Sequence, residues 1–451
     1  MFVIGASREM FLCAVVQLLP CNNRCPATFD CATARLHDCT IEDMLLPVLA
    51  AAGAVAVSGE SRIRKELFYG SALDNGGRCL DGSAAGFYLQ PADPAGPLQS
   101  TWVIFLEGGG ACYTKEKCES RAKYGLGSST RWPEGRWPKD FDLARDPSFA
   151  GANHVFVPYC SGDEHAGTRT TASAETWGLY FSGHLGLRHA LDRLKRNNGL
   201  GAANSSVLLT GQSAGAVGTF LNADYVQAQL PNATVKAAPN AGWFFPGDDR
   251  ALPHGVGIAI NFADWTATPQ RFTDWSNASG AAELWDSYVP PACKSAMVAK
   301  GLDPRFCMSV HNLYQYISVP VLVLENQFDE FQLSRNMGLP PTSPGQKAKV
   351  DAYMAYYGRL MRNSTAQVLQ KEGDGLFLAS CFTHIVNKKV TVQGYTHTQL
   401  LGDWFFGRGA IPAVLIDPCK SDDGTPCGTG CAKADDEDDG DADASSPHEA
   451  P

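Results

Sequence analysis

Short apolar runs alternate with amphipathic stretches through the middle of the chain, from about residue 66 to residue 419. The runs predict β-strands at Gly86–Leu89, Trp102–Leu106, His154–Pro158, Val207–Thr210, Val235–Ala238 and Val319–Glu325. Between them, apolar residues at helical spacing predict helices at Leu185–Lys195, Ala214–Gln229 and Val350–Arg362. Because strands and helices alternate as in βαβ units, we expect an α/β fold with a mostly parallel central sheet flanked by helices.

The amino-terminal residues 1–65 show no clear strand pattern and are predicted to be an irregular leader. The apolar run that begins at Met44 is followed by small residues, which is typical of a signal peptide. We therefore expect translation to begin at Met44 and the secreted chain to begin between Ala54 and Arg62. Two alternatives remain, namely a signal peptide that begins at Met10 and a buried helix formed by the run itself.

The negative charge of the chain is concentrated at its carboxyl end. The formal net charge is −10, and the residues from Asp417 to Pro451 include eleven acidic residues and two lysines. The remainder is close to neutral, so no basic face indicates a nucleic-acid partner. A segment so rich in Asp, Gly and Ala cannot form a core, and residues 421–451 are predicted to be a disordered tail. Residues 66–420 remain as one α/β domain.

The cysteines and the N-x-S/T sequons indicate the secretory pathway. Five of the fifteen cysteines precede residue 40, and the ten that follow suit five disulfide bonds. Sequons occur at Asn204, Asn232, Asn277 and Asn363. No apolar run reaches the ~18–20 residues that a membrane span needs. We therefore expect a secreted, disulfide-stabilised protein with no transmembrane segment.

The central chemical motif is Gly211-Gln-Ser213-Ala-Gly215, which lies between a predicted strand and a predicted helix. Glycines on both sides permit the sharp turn that lifts a nucleophilic serine clear of the sheet. Ser213 is therefore the candidate nucleophile. The amide of Ala214, near the start of the helix, is a candidate donor to a developing oxyanion.

A run of three glycines, from Gly108 to Gly110, follows the predicted strand Trp102–Leu106 about a hundred residues before the serine. Lipases and esterases have a similar loop at this place, and its backbone amides complete the oxyanion hole. The alternatives are a simple glycine turn and a phosphate-binding loop. A P-loop requires Lys-Ser/Thr after the glycines, and none follows them here.

Candidates for the acid and the base follow the serine, in the order that α/β-hydrolases use. Asp329 comes after the predicted strand Val319–Glu325, where its carboxylate can orient an imidazole. A helix N-cap is the alternative role for Asp329. His384 and His397 both lie further along the chain, and the residues alone do not choose between them.

Eight short stretches, in the same order, resemble the pectin acetylesterase/Notum family of carboxylesterases across roughly Leu67 to Cys419. They are Cys79-LDGS, Phe105-LEGGGAC, Pro158-YCSGD, Gly211-QSAG, Ala241-GWFF, Asn326-QFDEFQ, Ser380-CFTH and Gly402-DWFFGR. The resemblance implies an α/β-hydrolase-like fold and hydrolysis of an ester through a serine nucleophile.

The resemblance also implies a role for each candidate residue. It places the nucleophile at Ser213, the acid at Asp329 and the base at His384, because the family's histidine follows a cysteine as in Cys381-Phe-Thr-His384. The residues whose amides it implies for the oxyanion hole are Gly109, Gly110 and Ala214.

Two positions depart from the family's pattern. The family usually has tryptophan directly after the glycine run, where this chain has Ala111, and it tends to have aspartate where this chain has Asn240. Neither change removes a catalytic group, so we expect both to alter the floor or wall of the acyl pocket. Ala111, Asn240 and Trp243 are the residues predicted to line this substrate pocket.

The later cysteines fit the resemblance as five pairs. The expected disulfides are Cys79–Cys160, Cys112–Cys118, Cys293–Cys307, Cys381–Cys419 and Cys427–Cys431. The bond between Cys112 and Cys118 would brace the glycine run. Metal binding is the alternative for a C-x₃-C pair, but no second pair or histidine cluster supports a zinc site, and we expect no metal.

The function that follows is that of a serine carboxylesterase that needs no cofactor. Its expected partner is an acylated polysaccharide or another extracellular ester, deacetylated outside the cell or in a cell wall as pectin acetylesterases do. One alternative is a Notum-like deacylase that removes a longer acyl chain from a protein or a lipid. Another is an inactive glycan-binding homologue, against which the intact Ser213, Asp329 and His384 argue. The sequence indicates no particular oligomeric state.

Overall fold

The computed structural model describes residues 63–137, 142–244, 278–337, 344–418, 426–428 and 431. The chain separates into two units, Met1–Glu60 and Ser61–Pro451, and the described residues all belong to the second. The expected leader with its cleavage site, and the acidic segment after Cys431, lie outside the described residues. What we expect of them therefore stays a prediction.

The strands of the described residues form one large sheet and one small one. In chain order they are β1 Arg64–Leu67, β2 Gly86–Gln90, β3 Thr101–Leu106, β4 Asn153–Val157, β5 Ser206–Gln212, β6 Thr234–Asn240, β7 Leu322–Phe328, β8 Gly375–Phe382, β9 Thr391–Val392, β10 Tyr395–Thr396 and β11 Val414–Ile416. The large sheet has the order β1-β2-β4-β3-β5-β6-β7-β8-β11, and β9 pairs with β10 alone. β2 is antiparallel to β1 and β4, and the pairings from β4 to β11 are parallel. The predicted α/β-hydrolase-like sheet is confirmed.

The helices of the described residues connect these strands. In chain order they are α1 Ser71–Asp74, α2 Lys115–Arg121, α3 Gly183–Asn198, α4 Ala214–Gln229, α5 Ala278–Trp285, α6 Pro291–Ala299, α7 Val310–Leu313, α8 Glu330–Met337, α9 Pro344–Thr365 and α10 His397–Phe406. Four short 3-10 turns lie at Asp142–Ala144, Pro304–Met308, Tyr314–Tyr316 and Ala366–Gln370. The three helices predicted from the sequence are confirmed as α3, α4 and α9.

Each of the six predicted strands is present, but the last is displaced along the chain. β7 begins at Leu322 rather than Val319, and Val321 joins the sheet only through an isolated bridge to Ala237. The proline at 320 has no amide to donate to a ladder. The strand then continues through polar residues, of which Gln327 is fully buried and donates to the carbonyl oxygen of Asp417 at 3.1 Å.

The core packs against both faces of the sheet. α4 is buried over most of its surface, which fits the small and apolar residues Ala214-GAVGTFL at its start. α3 is amphipathic, buries Leu187, Leu191 and Leu194, and ends at Gly199, whose φ of 79° only glycine adopts without strain. Burial of each such leucine contributes about 1.5–3 kcal/mol. No helix in the described part of the chain has the length and apolar character needed to cross a membrane.

Three of the five expected disulfides are confirmed, and two are wrong. The confirmed bonds are Cys79–Cys160, Cys112–Cys118 and Cys293–Cys307. Cys381 bonds to Cys431 instead of Cys419, so Cys431 is not available to Cys427, which is itself disulfide-bonded. The reason is local packing: the amide of Gly428 donates to the carbonyl oxygen of Ser380 at 2.9 Å, which brings this segment against β8. The folded body therefore extends past the expected boundary at residue 420.

This cross-link is expected to stabilise the fold. The Cys381→Ala/Cys431→Ala double variant should lose about 2–4 kcal/mol of unfolding free energy, because it releases a constraint on a long loop of the unfolded chain. The measurement is the thermal midpoint, which should fall by several degrees. Cys293→Ala/Cys307→Ala is the matched control, with a separation of 14 rather than 50 residues and a smaller expected loss. An unchanged midpoint in the first variant would show that Cys431 contributes nothing to the body.

Candidate active site

Ser213 occupies the turn between β5 and α4. Its backbone angles, φ 53° and ψ −120°, lie in a region that residues other than glycine rarely adopt. Close packing requires the flanking glycines. A Cβ on Gly211 would lie 2.5 Å from the carbonyl oxygen of Gly215, and a Cβ on Gly215 would overlap the carbonyl oxygen of Leu106. The local sequence therefore produces the sharp strand-to-helix turn that the motif predicted.

The glycine run lies directly against this turn. A Cβ on Gly108 would overlap the end of β5 and would lie 3.2 Å from the Cβ of Ser213. Gly109 and Gly110 have φ angles of 139° and 67°, which favour glycine. Ala214 is the first residue of α4, where a helix leaves its amides without an internal partner. The three predicted oxyanion donors thus belong to the loop and the helix end that border the serine.

Arg121, the last residue of α2, holds the glycine run in place. Its Nη2 donates to the carbonyl oxygen of Gly109 at 2.6 Å. The guanidinium also lies 4.9 Å from the ring centroid of Tyr159, within the range of a cation–π contact. Because Arg121 occupies the carbonyl of Gly109, the orientation of that peptide is fixed. Sequence reasoning missed this residue, since no motif links an arginine to a glycine twelve positions away.

Asp329 and His384 are brought together by the fold. The Nδ1 atom of His384 lies 2.9 Å from the Oδ1 atom of Asp329, whose side chain is fully buried. Since a carboxylate oxygen accepts, Nδ1 is the donor of this bond, and Nε2 is left as the ring nitrogen that can take a proton. In the described structure Nε2 is buried and has no hydrogen-bond partner. Nε2 is therefore the atom that would accept a proton.

Asp329 also caps α8, which is the alternative role considered from the sequence. Its Oδ1 accepts from the amides of Phe331 at 2.8 Å and Gln332 at 3.3 Å, as an N-cap does. Its Oδ2 accepts from the Nε2 of Gln332 at 2.8 Å. The carboxylate is therefore held by the start of the helix while it faces His384. These donors fix the direction in which it presents its oxygens to the imidazole.

His397, the other histidine that the sequence left open, lies at the start of α10. It is mostly buried, and its ring centroid is 6.1 Å from that of Phe377 in an edge-to-face arrangement. The imidazole that hydrogen-bonds to Asp329 is that of His384. Chain position could not distinguish the two, because both follow Asp329.

The residues predicted to line a substrate pocket lie at different depths. Ala111 is half-buried beside the glycine run. Asn240 and Trp243 are 5% and 0% exposed. The indole Nε1 of Trp243 donates to the Oγ of Ser364 at 2.9 Å, and the Asn240 amide bonds to the backbone of Val386. Both side chains thus make contacts in the interior, and a place in the lining of a substrate pocket stays a prediction for all three residues.

Two phenyl rings border the imidazole, and the sequence did not point to either. The ring of Phe331 is stacked on His384 with centroids 5.0 Å apart, and the ring of Phe244 lies 6.1 Å away. The two phenyl rings are also in edge-to-face contact at 6.0 Å. They form an apolar wall beside His384. Phe331 is the second residue after Asp329, so the same helix start that holds the acid also provides the wall.

A second buried carboxyl, that of Glu325, lies in the strand before Asp329. Burial, and then the negative charge of Asp329, raise the pKa of Glu325 well above its usual range. Its Oε2 accepts from the amide of Trp243 at 2.9 Å. A protonated Glu325 avoids a second negative charge beside Asp329. In the described part of the chain, no group of three or more His, Cys, Asp and Glu side chains is arranged to hold a metal ion.

The chain is similar in sequence to a known family over most of its length. Residues 58–432 match the family described as pectinacetylesterase. The chain is 28% identical to pectin acetylesterase 4 of Arabidopsis thaliana over 380 residues, which cover 78% of this chain and 85% of the relative. It is 32% identical to the palmitoleoyl-protein carboxylesterase NOTUM of Drosophila melanogaster over 327 residues, which cover 68% of this chain but only 42% of that protein.

A solved structure shows the same likeness in three dimensions. The Wnt deacylase Notum from Drosophila superposes with a TM-score of 0.65 at 26% sequence identity. The match covers 82% of this chain and 99% of that one. The similarity therefore extends over nearly all of the solved chain.

Proposed function

Because the chain belongs to the pectinacetylesterase family, whose relatives are acetylesterases and carboxylesterases, we propose that it is a serine esterase with Ser213 as nucleophile, His384 as base and Asp329 as acid. The observation that carries this proposal is the contact between the glycine run and the turn of Ser213. This contact supports the proposal because acyl transfer requires a nucleophilic hydroxyl beside backbone amides that can stabilise the oxyanion. The hydrogen bond between His384 and Asp329 supplies an oriented base.

The reaction then proceeds in two halves. In the first, Nε2 of His384 takes the proton of the Ser213 hydroxyl as its oxygen attacks the ester carbonyl, and the amides of Gly109, Gly110 and Ala214 stabilise the oxyanion. The carbon–oxygen bond of the ester breaks, and the alcohol leaves with the proton from His384. In the second, water attacks the acyl-enzyme with the same base, and the free acid is released. Each step uses only groups of this chain, the ester and water.

The proposed substrate is an O-acetyl ester of an extracellular polysaccharide. The disulfides of the described residues support a location outside the reducing cytosol. The longer-acyl alternative is favoured by one specific observation, namely the apolar wall of Phe244 and Phe331 beside His384. Ala111, with its small side chain next to the oxyanion loop, also leaves room for a longer acyl chain.

A series of p-nitrophenyl esters tests the activity and the acyl preference together. We expect kcat/KM to be highest for the acetyl ester and to fall by about tenfold or more for the octanoyl and palmitoyl esters, since a short pocket gains nothing from added methylenes. The measurement is the initial rate of nitrophenol release, with Ser213→Ala as the blank. A maximum at octanoyl or longer would replace acetate with a long acyl group as the substrate. No turnover above the blank with any ester would contradict the esterase function.

A further inference from the structure

Asn240, the last residue of β6, contacts both halves of the proposed catalytic machinery. Its main-chain carbonyl oxygen accepts from the amide of Ser213 at 3.0 Å. Its side-chain Oδ1 accepts from the amide of Val386 at 3.0 Å, and its Nδ2 donates to the carbonyl oxygen of Val386 at 3.2 Å. Val386 is two residues after His384. One residue therefore joins the turn of the nucleophile to the loop of the base.

The loop that contains His384 depends on such contacts. Residues 383–390 form no helix or strand between β8 and β9. Besides the two bonds from Asn240, the loop is held by the Nδ2 of Asn326, which donates to the carbonyl oxygen of His384 at 3.2 Å. Because the backbone of this segment is not fixed by a ladder, its side-chain contacts determine where the imidazole lies.

We propose that Asn240 is a positioning residue whose side chain sets the distance between Ser213 and His384. Val386 presents a donor and an acceptor to the same side chain, and a carboxamide matches both. Alanine at this position loses both bonds and leaves the backbone groups of Val386 without them. At 5% exposure, water does not replace the lost bonds.

The proposal rests on the proposed function, since it concerns the geometry of Ser213 and His384. Small displacements of reacting groups are costly, and a misplacement of about 1 Å lowers a rate by about 10²-fold. Displacement of the loop should therefore slow the step in which Ser213 is deprotonated. Binding of the substrate should change much less.

The test compares Asn240→Ala with Asn153→Ala. Asn153 is a matched control because it is 7% exposed and its side chain also accepts one amide, that of Ala92, and donates to two carbonyl oxygens, those of Gln99 and Thr101. It lies at the start of β4, whereas Ser213 follows the end of β5, so the two sites are at opposite ends of the sheet.

Both alanine variants should lower the thermal midpoint. Only Asn240→Ala should lower kcat for the acetyl ester, by about 10–100-fold, with KM within about twofold of the parent. The same variant should slow covalent labelling of Ser213 by a fluorophosphonate by a similar factor, because labelling also needs the base. If Asn240→Ala does not fold, Asn240→Ser, whose side chain is too short to make both bonds, is expected to give the same two losses.

Three results would overturn the proposal. The first is a folded Asn240 variant with the kcat and labelling rate of the parent. The second is an equal loss of kcat in Asn153→Ala, which would show that general destabilisation is responsible. The third is a parent that neither hydrolyses the ester nor reacts with the fluorophosphonate, and this result would refute the esterase function as well. Labelling of the parent thus separates a failure of Asn240 from a failure of the function.

Discussion

The Ser213→Ala variant is expected to lose kcat by about 10⁴–10⁶-fold while its fold is retained. The hydroxyl is the only group removed, and Ser213 has no side-chain hydrogen bond that caps α4. The strained backbone of the turn is adopted by alanine no less readily than by serine. The rate of ester hydrolysis and the thermal midpoint, measured on the same preparation, check both parts of this expectation.

A second buried serine provides the control. Ser182 also directly precedes a helix, α3, and its Oγ donates to the carbonyl oxygen of Arg78 at 2.9 Å. Ser182→Ala should lower the free energy of unfolding by about 1–3 kcal/mol, because a buried carbonyl oxygen loses its donor, and it should leave kcat within about threefold of the parent, because the lost bond is to Arg78. Full activity in Ser213→Ala would end the case for a serine nucleophile. Equal losses in the two variants would point to folding rather than chemistry.

The second large effect is expected from His384→Ala, which should lose kcat by a factor similar to that of Ser213→Ala. A serine hydroxyl at its ordinary pKa is a poor nucleophile, and Nε2 of His384 is the base that the hydrogen bond to Asp329 orients. The Ser213→Ala/His384→Ala double variant should be no slower than either single variant, because the two groups act as a unit. The kcat of Asp329→Asn should lie between those of the parent and of His384→Ala, since Asp329 orients the imidazole but does not attack.

His397→Ala is the matched control for this assignment. Its imidazole is buried and packs on Phe377, so its loss should cost a few-fold in rate through packing alone. The measurement is kcat for the acetyl ester, at one pH, in the four single variants at Ser213, Asp329, His384 and His397. An inactive His397→Ala together with an active His384→Ala would show that the base has been assigned to the wrong histidine.

The sequence predicts those parts of the fold that depend on local patterns. The run that forms β5 and the motif after it specify a buried strand, a sharp turn and a helix, and α4 begins and ends at the residues predicted. The limits of β7 were harder, because buried polar side chains such as that of Gln327 continue the strand. Their burial depends on partners far along the chain, which no local pattern reveals.

In the candidate site, too, the sequence predicts what local motifs specify but not the contacts between distant residues. Ser213 and the glycine run belong to recognisable motifs, whereas the choice between His384 and His397 required the family resemblance. The bonds from Asn240 to Val386 join residues 146 positions apart. Such a pair could be found only once the fold had brought β6 and the loop after β8 together. The wrong pairing of Cys381 has the same origin, since sequence spacing does not specify which cysteine packs against a strand.

The bond between Cys381 and Cys431 can form only late in the synthesis of the chain. Cys381 lies near the end of β8, beside His384. The ribosome produces it 50 residues before Cys431, the residue that cross-links it. Cys112 meets Cys118 after only six residues, so that bond can form early. Until Cys431 emerges, the thiol of Cys381 is open to exchange with other cysteines of the nascent chain. The cross-link beside the candidate base is therefore completed only after Cys431 emerges, and a chain cut short before residue 431 leaves Cys381, three residues from His384, without its partner.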